Sequence, residues 1–250
     1  MAGRKAPRGV PSRDRWAAQI AALDATPDAP RSRREPITVA RIVAAALQVV
    51  ETEGFDALTM RRVAAVLPAS PGALYAHVRD KSELDDLMIG ELCSRVRLPA
   101  PDREHWREQA IDVCAQLRDQ YLRYPEIWRA TLAAAPQNLN TLRITEGLLA
   151  IVVAGGVPLQ SASWAVDSAF LYTGAYSVMA RRRLTDQDTD GRAVNRAEII
   201  ARFEMLPPDR FPIMAAHAGE LISGEGHDQF DFTLGLLFGG LPLTGGHGER

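Results

Sequence analysis

Gly72, Tyr75, Ala76 and Arg79 recur at i, i+3, i+4 and i+7 in a segment that opens with Ser70-Pro71. On a helix this spacing puts all four residues on one side. Two small positions allow a close approach to a flat partner, and the neighbouring phenol and guanidinium suit base edges and phosphate oxygens. Leu74 and Val78 lie four apart on the opposite side, where they can bury. The flanks carry the same chemistry. Thr59 and Lys81 stand at helix starts, where free backbone N–H groups and the positive end of the dipole favour phosphate. Arg61, Arg62 and His77 add side-chain donors.

Three short helices would have to hold this face. Val39, Ile42, Val43, Ala46, Leu47 and Val50 make one apolar stripe, so a first helix is expected over Thr38 to Glu53, capped by the Thr38 hydroxyl and ended at Gly54. Thr59 caps a second helix whose inward stripe is Met60, Val63, Ala64 and Leu67. Ser70 caps the third, with Pro71 at the first helical position, where its missing N–H costs nothing. This helix should end near Val78. A longer helix is expected from Lys81 to about Arg97, closed by Pro99 and Pro101. Such a layout is that of a helix-turn-helix reader of DNA.

At this point the residues resemble a known family. Thr59-Met-Arg-Arg-Val-Ala-Ala-Val-Leu, Ser70-Pro-Gly-Ala-Leu-Tyr-Ala-His-Val and Asp80-Lys-Ser-Glu-Leu are similar to the DNA-binding domain of the tetracycline-repressor (TetR) family, over about Pro36 to Leu92. The resemblance implies that Ser70, Gly72, Ala73, Tyr75, His77 and Lys81 meet DNA bases or backbone. One departure stands out. The family turn usually carries glycine where this chain has Pro68, which cannot adopt positive φ. The rear of the chain resembles the C-terminal domain of the tetracycline-repressor subgroup through Tyr124-Pro125-Glu126-Ile-Trp128, the helix ending at Gly155-Gly156 and the final Phe230-Asp-Phe232 helix. The subgroup's magnesium-tetracycline chemistry does not carry over, because no corresponding ligand set stands out.

Behind the reader the expected helices are Arg103 to Tyr124, Glu126 to Ala134, Leu139 to Ala154, Leu159 to Arg183, one within Val194 to Met205, one near Phe211 to Ile222, and Asp228 to Phe238. No stretch alternates like a strand, so the fold class is all-α. Trp128, Leu132, Trp164, Phe170, Tyr172 and Tyr176 are candidates to line a small-molecule pocket, with ordinary core as the competing reading. Trp164, Leu171 and Val178 fall at sevenfold spacing, which suits contact with a partner subunit. The resemblance adds that the Leu159 helix and the last helix join a second copy in a four-helix bundle. Small Ala162, Ala165, Ala169, Gly174 and Ala175, with bulky Phe232, Leu236 and Leu237, are the residues expected there.

Composition bounds the alternatives. The 250 residues are 46% hydrophobic and 24% charged, ordinary for a globular chain of two modest domains. Net charge is -2 but uneven: residues 1 to 97 carry 15 Lys+Arg against 12 Asp+Glu, and residues 98 to 250 carry 14 against 19. The basic front fits an anionic partner. Eight Lys/Arg, among them Arg31, Arg33 and Arg34, fall within residues 1 to 35, with a short helix around Arg13 to Leu23. This reads as a basic arm that places Arg33 and Arg34 on DNA, or as a solubilising tail.

The longest apolar run, Leu148 to Leu159, is too short and too broken by glycine and proline to span a bilayer. The polar N-terminus lacks the apolar core of a secretory signal. Isolated Cys93 and Cys114 suit a reducing cytoplasm. Asp186, Asp188 and Asp190 begin like a calcium loop, but Ala197 stands where the bidentate Glu belongs. His105, His217, His227 and His247 lack zinc spacing, and no nucleophile elbow surrounds Ser161 or Ser163.

The expectation is a cytoplasmic homodimer, not an enzyme, without cofactor or metal. It would be a sequence-specific transcriptional repressor that binds a double-stranded operator and is released from it by a small-molecule effector. Its domains would be the arm (1–35), the reader (36–97, with the helix-turn-helix about 59–78) and a ligand-binding and dimerisation domain (98–250). Two alternatives remain open: a helical small-molecule-binding or catalytic protein retaining the fold without operator binding, and a sequence-tolerant nucleoid-type binder.

Overall fold

The computed structural model describes residue 20 and residues 37–67, 69–124, 126–130, 138–184, 196–224 and 226–243, with side chains placed to 180 in the long helix that ends at 184. Arg33, Arg34, Pro68, Leu132 and the Asp186–Asp190 loop lie outside the described residues. The described residues form helices joined by turns and contain no strand. They divide into two compact units, Met1–Arg95 with Ile127–Glu146, and Val96–Glu126 with Gly147–Arg250.

In the first unit, helix α1 spans Val39–Glu53. Thr38 caps it by accepting from the Arg41 N–H, and Gly54 ends it at φ 87°, a left-handed value that glycine takes without steric cost. A 3-10 turn at Phe55–Ala57 leads to α2, Met60–Val66, whose first turn is closed by the Thr59 hydroxyl at 3.1 Å from the Arg62 N–H. Helix α3 is Pro71–Tyr75 and α4 is Lys81–Ser94. Ile42, Leu47, Val50, Leu58, Val63, Leu74, Val78, Leu84, Met88 and Leu92 are buried together as the core of this unit. Burial of one such leucine contributes about 1.5–3 kcal/mol. The unit is completed by a 3-10 turn at Ile127–Ala130 and the first half of helix α6, Leu139–Ala154. There Arg143 donates to the Cys93 carbonyl at 2.8 Å.

Several expected boundaries move. Helix α3 stops at Tyr75 instead of Val78, since Leu74 O accepts from both the His77 and Val78 N–H groups at 2.9 Å and no further turn forms. Arg79 therefore leaves the helical face expected for it. Its backbone N–H and its Nε go to Glu83 Oε2, at 2.8 and 3.1 Å. Helix α4 ends at Ser94, short of Arg97. Of the helix expected over Glu126 to Ala134, the described part is only the 3-10 turn. The α2–α3 turn closes without a left-handed residue at Leu67, which has φ -87°, because the Ala69 N–H reaches back to Ala64 O at 3.1 Å.

In the second unit, α5 (Trp106–Arg123) packs along α7 (Leu159–Leu184), and α11 (Asp228–Gly239) packs against both. Helix α5 begins later than Arg103 because Asp102 Oδ1 accepts from the Glu104 and His105 N–H groups and holds a turn there. The indole of Trp106 is fully buried. It meets Phe238 edge-on, with centroids 6.3 Å apart, and lies where a Cβ on Gly155 would fall. Helix α8 spans Arg196–Glu204. The helix expected near Phe211 to Ile222 is two, α9 (Pro212–Ala216) and α10 (Ala218–Leu221), because His217 at φ -121° breaks the run.

The small residues of α7 are not where the sequence reading puts them. Ala162, Ala165, Ala169 and Gly174 are buried within the unit, where they let neighbouring helices approach closely. Of the five only Ala175 is exposed. The outward stripe is instead Trp164, Leu171, Ala175 and Met179, and α11 exposes Phe232 and Leu236 while burying Phe230, Leu234 and Phe238.

Candidate functional site

The first unit contains the described DNA-face candidates, and its geometry sorts them. Helix α3 is only five residues long and turns one residue inward: Leu74 is fully buried. Ser70, Gly72, Tyr75 and His77 are exposed, Tyr75 by 53%, and Ala73 is part-buried. Ser70 Oγ accepts from the Ala73 N–H at 3.3 Å, so this hydroxyl is first of all a cap. A Cβ added to Gly72 would meet nothing nearer than Ser70 Oγ at 3.9 Å. Among the described residues nothing demands a glycine there, so its smallness faces outward.

The cations around α3 differ in how they are held. Arg61 is exposed and makes no ion pair among the described residues, whereas Arg62 is gripped by Glu53. Lys81, at the start of α4, reaches both oxygens of Asp85 at 3.0 and 3.1 Å and lies over the Phe55 ring, 4.4 Å from its centroid. Burial pushes the Asp85 carboxyl up, and Lys81 partly opposes that shift. Thr59 is exposed with its hydroxyl engaged as the α2 cap. The electrostatic role of Asp85 was legible from spacing, and that of Glu53 was not. Lys81–Asp85 has the i, i+4 signature of a helical ion pair, but Glu53 and Arg62 lie nine apart across a turn.

The second unit joins two of the pocket candidates. Tyr172 stacks on Phe230 at 5.6 Å and tilts toward Tyr176 at 5.9 Å, and Tyr176 contacts Phe230 at 5.0 Å. The Tyr176 hydroxyl shares a 3.0 Å hydrogen bond with His227 Nδ1, and the Tyr172 hydroxyl donates to the Gln229 carbonyl. Arg118, almost wholly buried, lays its guanidinium 4.7 Å over the Phe230 ring and bonds Asp119. Sequence reasoning missed Arg118, His227 and Phe230 as members of this cluster, because residues so far apart in the chain carry no shared spacing. Phe170 is part-buried on α7. Trp164 is 65% exposed on α7. Trp128 is part-buried in the first unit.

Both cysteines are buried, and desolvation pushes the thiols up to about 11 at Cys93 and about 12 at Cys114, against partial opposition from Thr141 and Thr173. Such thiols are poor nucleophiles. Among the described residues, no three His, Cys, Asp or Glu side chains are grouped to hold a metal. No described helix is long and apolar enough to cross a membrane.

A capped, proline-started short helix with one buried leucine and an exposed small face, held by two preceding helices, defines the class: a helix-turn-helix DNA-binding transcriptional regulator. Comparison with known proteins agrees. Residues 42–85 match the family described as bacterial regulatory proteins, tetR family, and residues 98–244 match the tetracyclin repressor-like C-terminal domain. The chain is 30% identical over 224 residues to an HTH-type transcriptional regulator of Saccharopolyspora erythraea, covering 86% of this chain and 89% of that one. It is 27% identical over 221 residues to the HTH-type transcriptional repressor DrrR1 of Streptomyces coeruleorubidus, covering 85% and 80%. The Streptomyces coelicolor TetR family protein ActR, solved in complex with actinorhodin, superposes with a TM-score of 0.73 at 28% identity, covering 82% of this chain and 95% of that one. The chain belongs to the TetR family of transcriptional regulators.

Proposed function

We propose that this protein is a homodimeric repressor that binds a two-fold-symmetric operator and leaves it when a small molecule binds the C-terminal domain. The observation that carries the DNA half is the outward face of α3, where Gly72 and Tyr75 are exposed although nothing among the described residues requires a glycine. Residues 36–97 are then the reader and 98–250 the effector and dimerisation domain. Ser70, Gly72, Ala73, Tyr75 and His77 meet the major groove. Thr59, Arg61 and Lys81 meet the adjoining backbone, and Arg33 and Arg34 reach DNA from a basic arm over residues 1–35. Two-fold symmetry places two α3 helices in successive turns of one groove, about 34–36 Å apart.

The repressor reading is supported by the likeness to DrrR1, and the ligand reading by the likeness to ActR, which is solved with actinorhodin bound. Tyr172 and Tyr176, joined by Phe230, Arg118 and His227, are the aromatic and polar groups we assign to the effector domain. A ligand releases DNA only through a difference in its affinity for the operator-competent and operator-incompetent states. The protein acts in the cytoplasm, where its operator is.

The test is selection of duplexes from a random pool by the purified protein, followed by gel-shift titration. Enrichment of one palindrome is the expected result. Equal retention of all sequences would identify a sequence-tolerant binder, and retention of none would leave a small-molecule-binding protein on the same fold.

A further inference from the structure

Arg61 and Arg62 are neighbours on α2, and a helix turns 100° per residue, so the two side chains leave in different directions. Arg62 is tied to the frame at both ends. Its backbone N–H donates to the Thr59 hydroxyl at 3.1 Å. Its Nε donates to Glu53 Oε1 and Oε2 at 3.0 and 2.8 Å, and its second terminal nitrogen donates to Oε1 at 2.6 Å. This is a fork-to-fork pair, the geometry that binds guanidinium to carboxylate most selectively. Glu53 is the last residue of α1, immediately before Gly54, so the pair bridges the end of one helix and the first turn of the next.

We propose that Glu53 is a specificity-determining residue, which holds Arg62 as a neutral pair away from DNA phosphates and leaves Arg61 as the cation of α2 with no ion-pair partner among the described residues. The same fork that would clamp a phosphate is already filled by a carboxylate. An Arg62 moved to phosphate would leave the Glu53 anion beside the DNA backbone. The hydrogen bonds from Arg62 also hold the Glu53 carboxyl below its ordinary range, so the carboxylate stays charged wherever the protein is folded near neutral pH. One further pair follows the same plan: Arg79, on the connection after α3, on Glu83, whose side chain is only 6% exposed. A reader whose cations are largely matched by its own acids binds random DNA weakly, because that binding scales with the number of phosphates neutralised. Sequence discrimination then rests on the α3 face.

This inference rests on the operator-binding reading, and the experiment separates the two. The full-length protein is titrated against a labelled random-sequence duplex and against the selected operator over a range of KCl concentrations. Glu53→Gln is expected to tighten binding to the random duplex and to steepen the log-log salt slope by about 0.9 per reading head, one added phosphate contact. Arg62→Ala alone should leave the wild-type slope unchanged. Glu53→Gln combined with Arg62→Ala should return to the wild-type slope. The inference is overturned if Arg62→Ala by itself flattens the slope by about 0.9, since Arg62 would already sit on phosphate. It is overturned equally if Glu53→Gln leaves the slope unchanged, or if its effect persists without Arg62, which would make it a matter of bulk charge. A wild-type protein that binds neither duplex would overturn the operator reading and this inference with it. Circular dichroism of each variant shows whether the fold is retained, as the exposure of both side chains predicts.

Discussion

The two units treat their large apolar side chains differently. In the N-terminal unit the described ones left exposed are Ile20, Val39 and Tyr75, and Tyr75 lies on the α3 face. In the C-terminal unit Trp164, Leu171 and Met179 line one side of α7, and Phe232 and Leu236 line one side of α11, each exposed by more than 40%. The first unit is therefore closed on its own core and offers polar and small groups outward. The second has spent its small residues on its own interior and turned its bulky ones out, as the proposed homodimer requires.

The sharpest way to break this contrast is a charge on the outward side of α11. Leu236 is 63% exposed in the single chain, so Leu236→Glu should leave the protomer folded. In a dimer the same carboxylate would be buried without a partner, at a cost of several kcal/mol. The variant should sediment as a folded monomer and lose operator binding. A dimer with normal operator affinity would show that the pairing surface lies elsewhere.

Next in size are the inward leucines. Leu74→Ala and Leu234→Ala each remove a fully buried side chain and should destabilise their own unit by about 2–5 kcal/mol in chemical denaturation. Beside Leu74, Tyr75→Ala should do the reverse: little change in stability, but operator binding weaker by about 1–3 kcal/mol. Equal effects on folding for these two neighbours would undo the assignment of inner and outer faces on α3.

A smaller effect is expected at Gly155, whose added Cβ would fall on the Trp106 indole. Gly155→Ala should cost about 1–3 kcal/mol in stability, as overpacking does. A neutral result by thermal melt would mean that Trp106 can move. The smallest is Thr59→Ala, about 1 kcal/mol from loss of the α2 cap.

The sequence was most legible where chemistry is local. Thr38 and Gly54 mark the ends of α1 because a capping hydroxyl and a left-handed glycine act within a few residues. Ser70-Pro71 marks the start of α3 for the same reason. The end of α3 was less so, since Leu74 O serves two donors at once and no residue type announces that. On α7 the period identified an apolar helix but not which side faces home. Its small side, Ala162, Ala165 and Ala169, packs inside, and its bulky side, Trp164 and Leu171, faces out. Hydrophobic periodicity cannot separate those cases when both sides are apolar. The Glu53–Arg62 fork and the cluster of Arg118, Tyr176, His227 and Phe230 depend on chain folding, so no spacing revealed them.

The central claim is that the outward stripes of α7 and α11 pair two chains so that two readers meet one operator. Sedimentation equilibrium of the full-length protein at micromolar concentration, alone and with the selected operator duplex, tests it most directly. The account predicts a species of twice the 27.3 kDa chain mass, with two chains on each duplex. A 27.3 kDa monomer that binds the operator one chain at a time would contradict it.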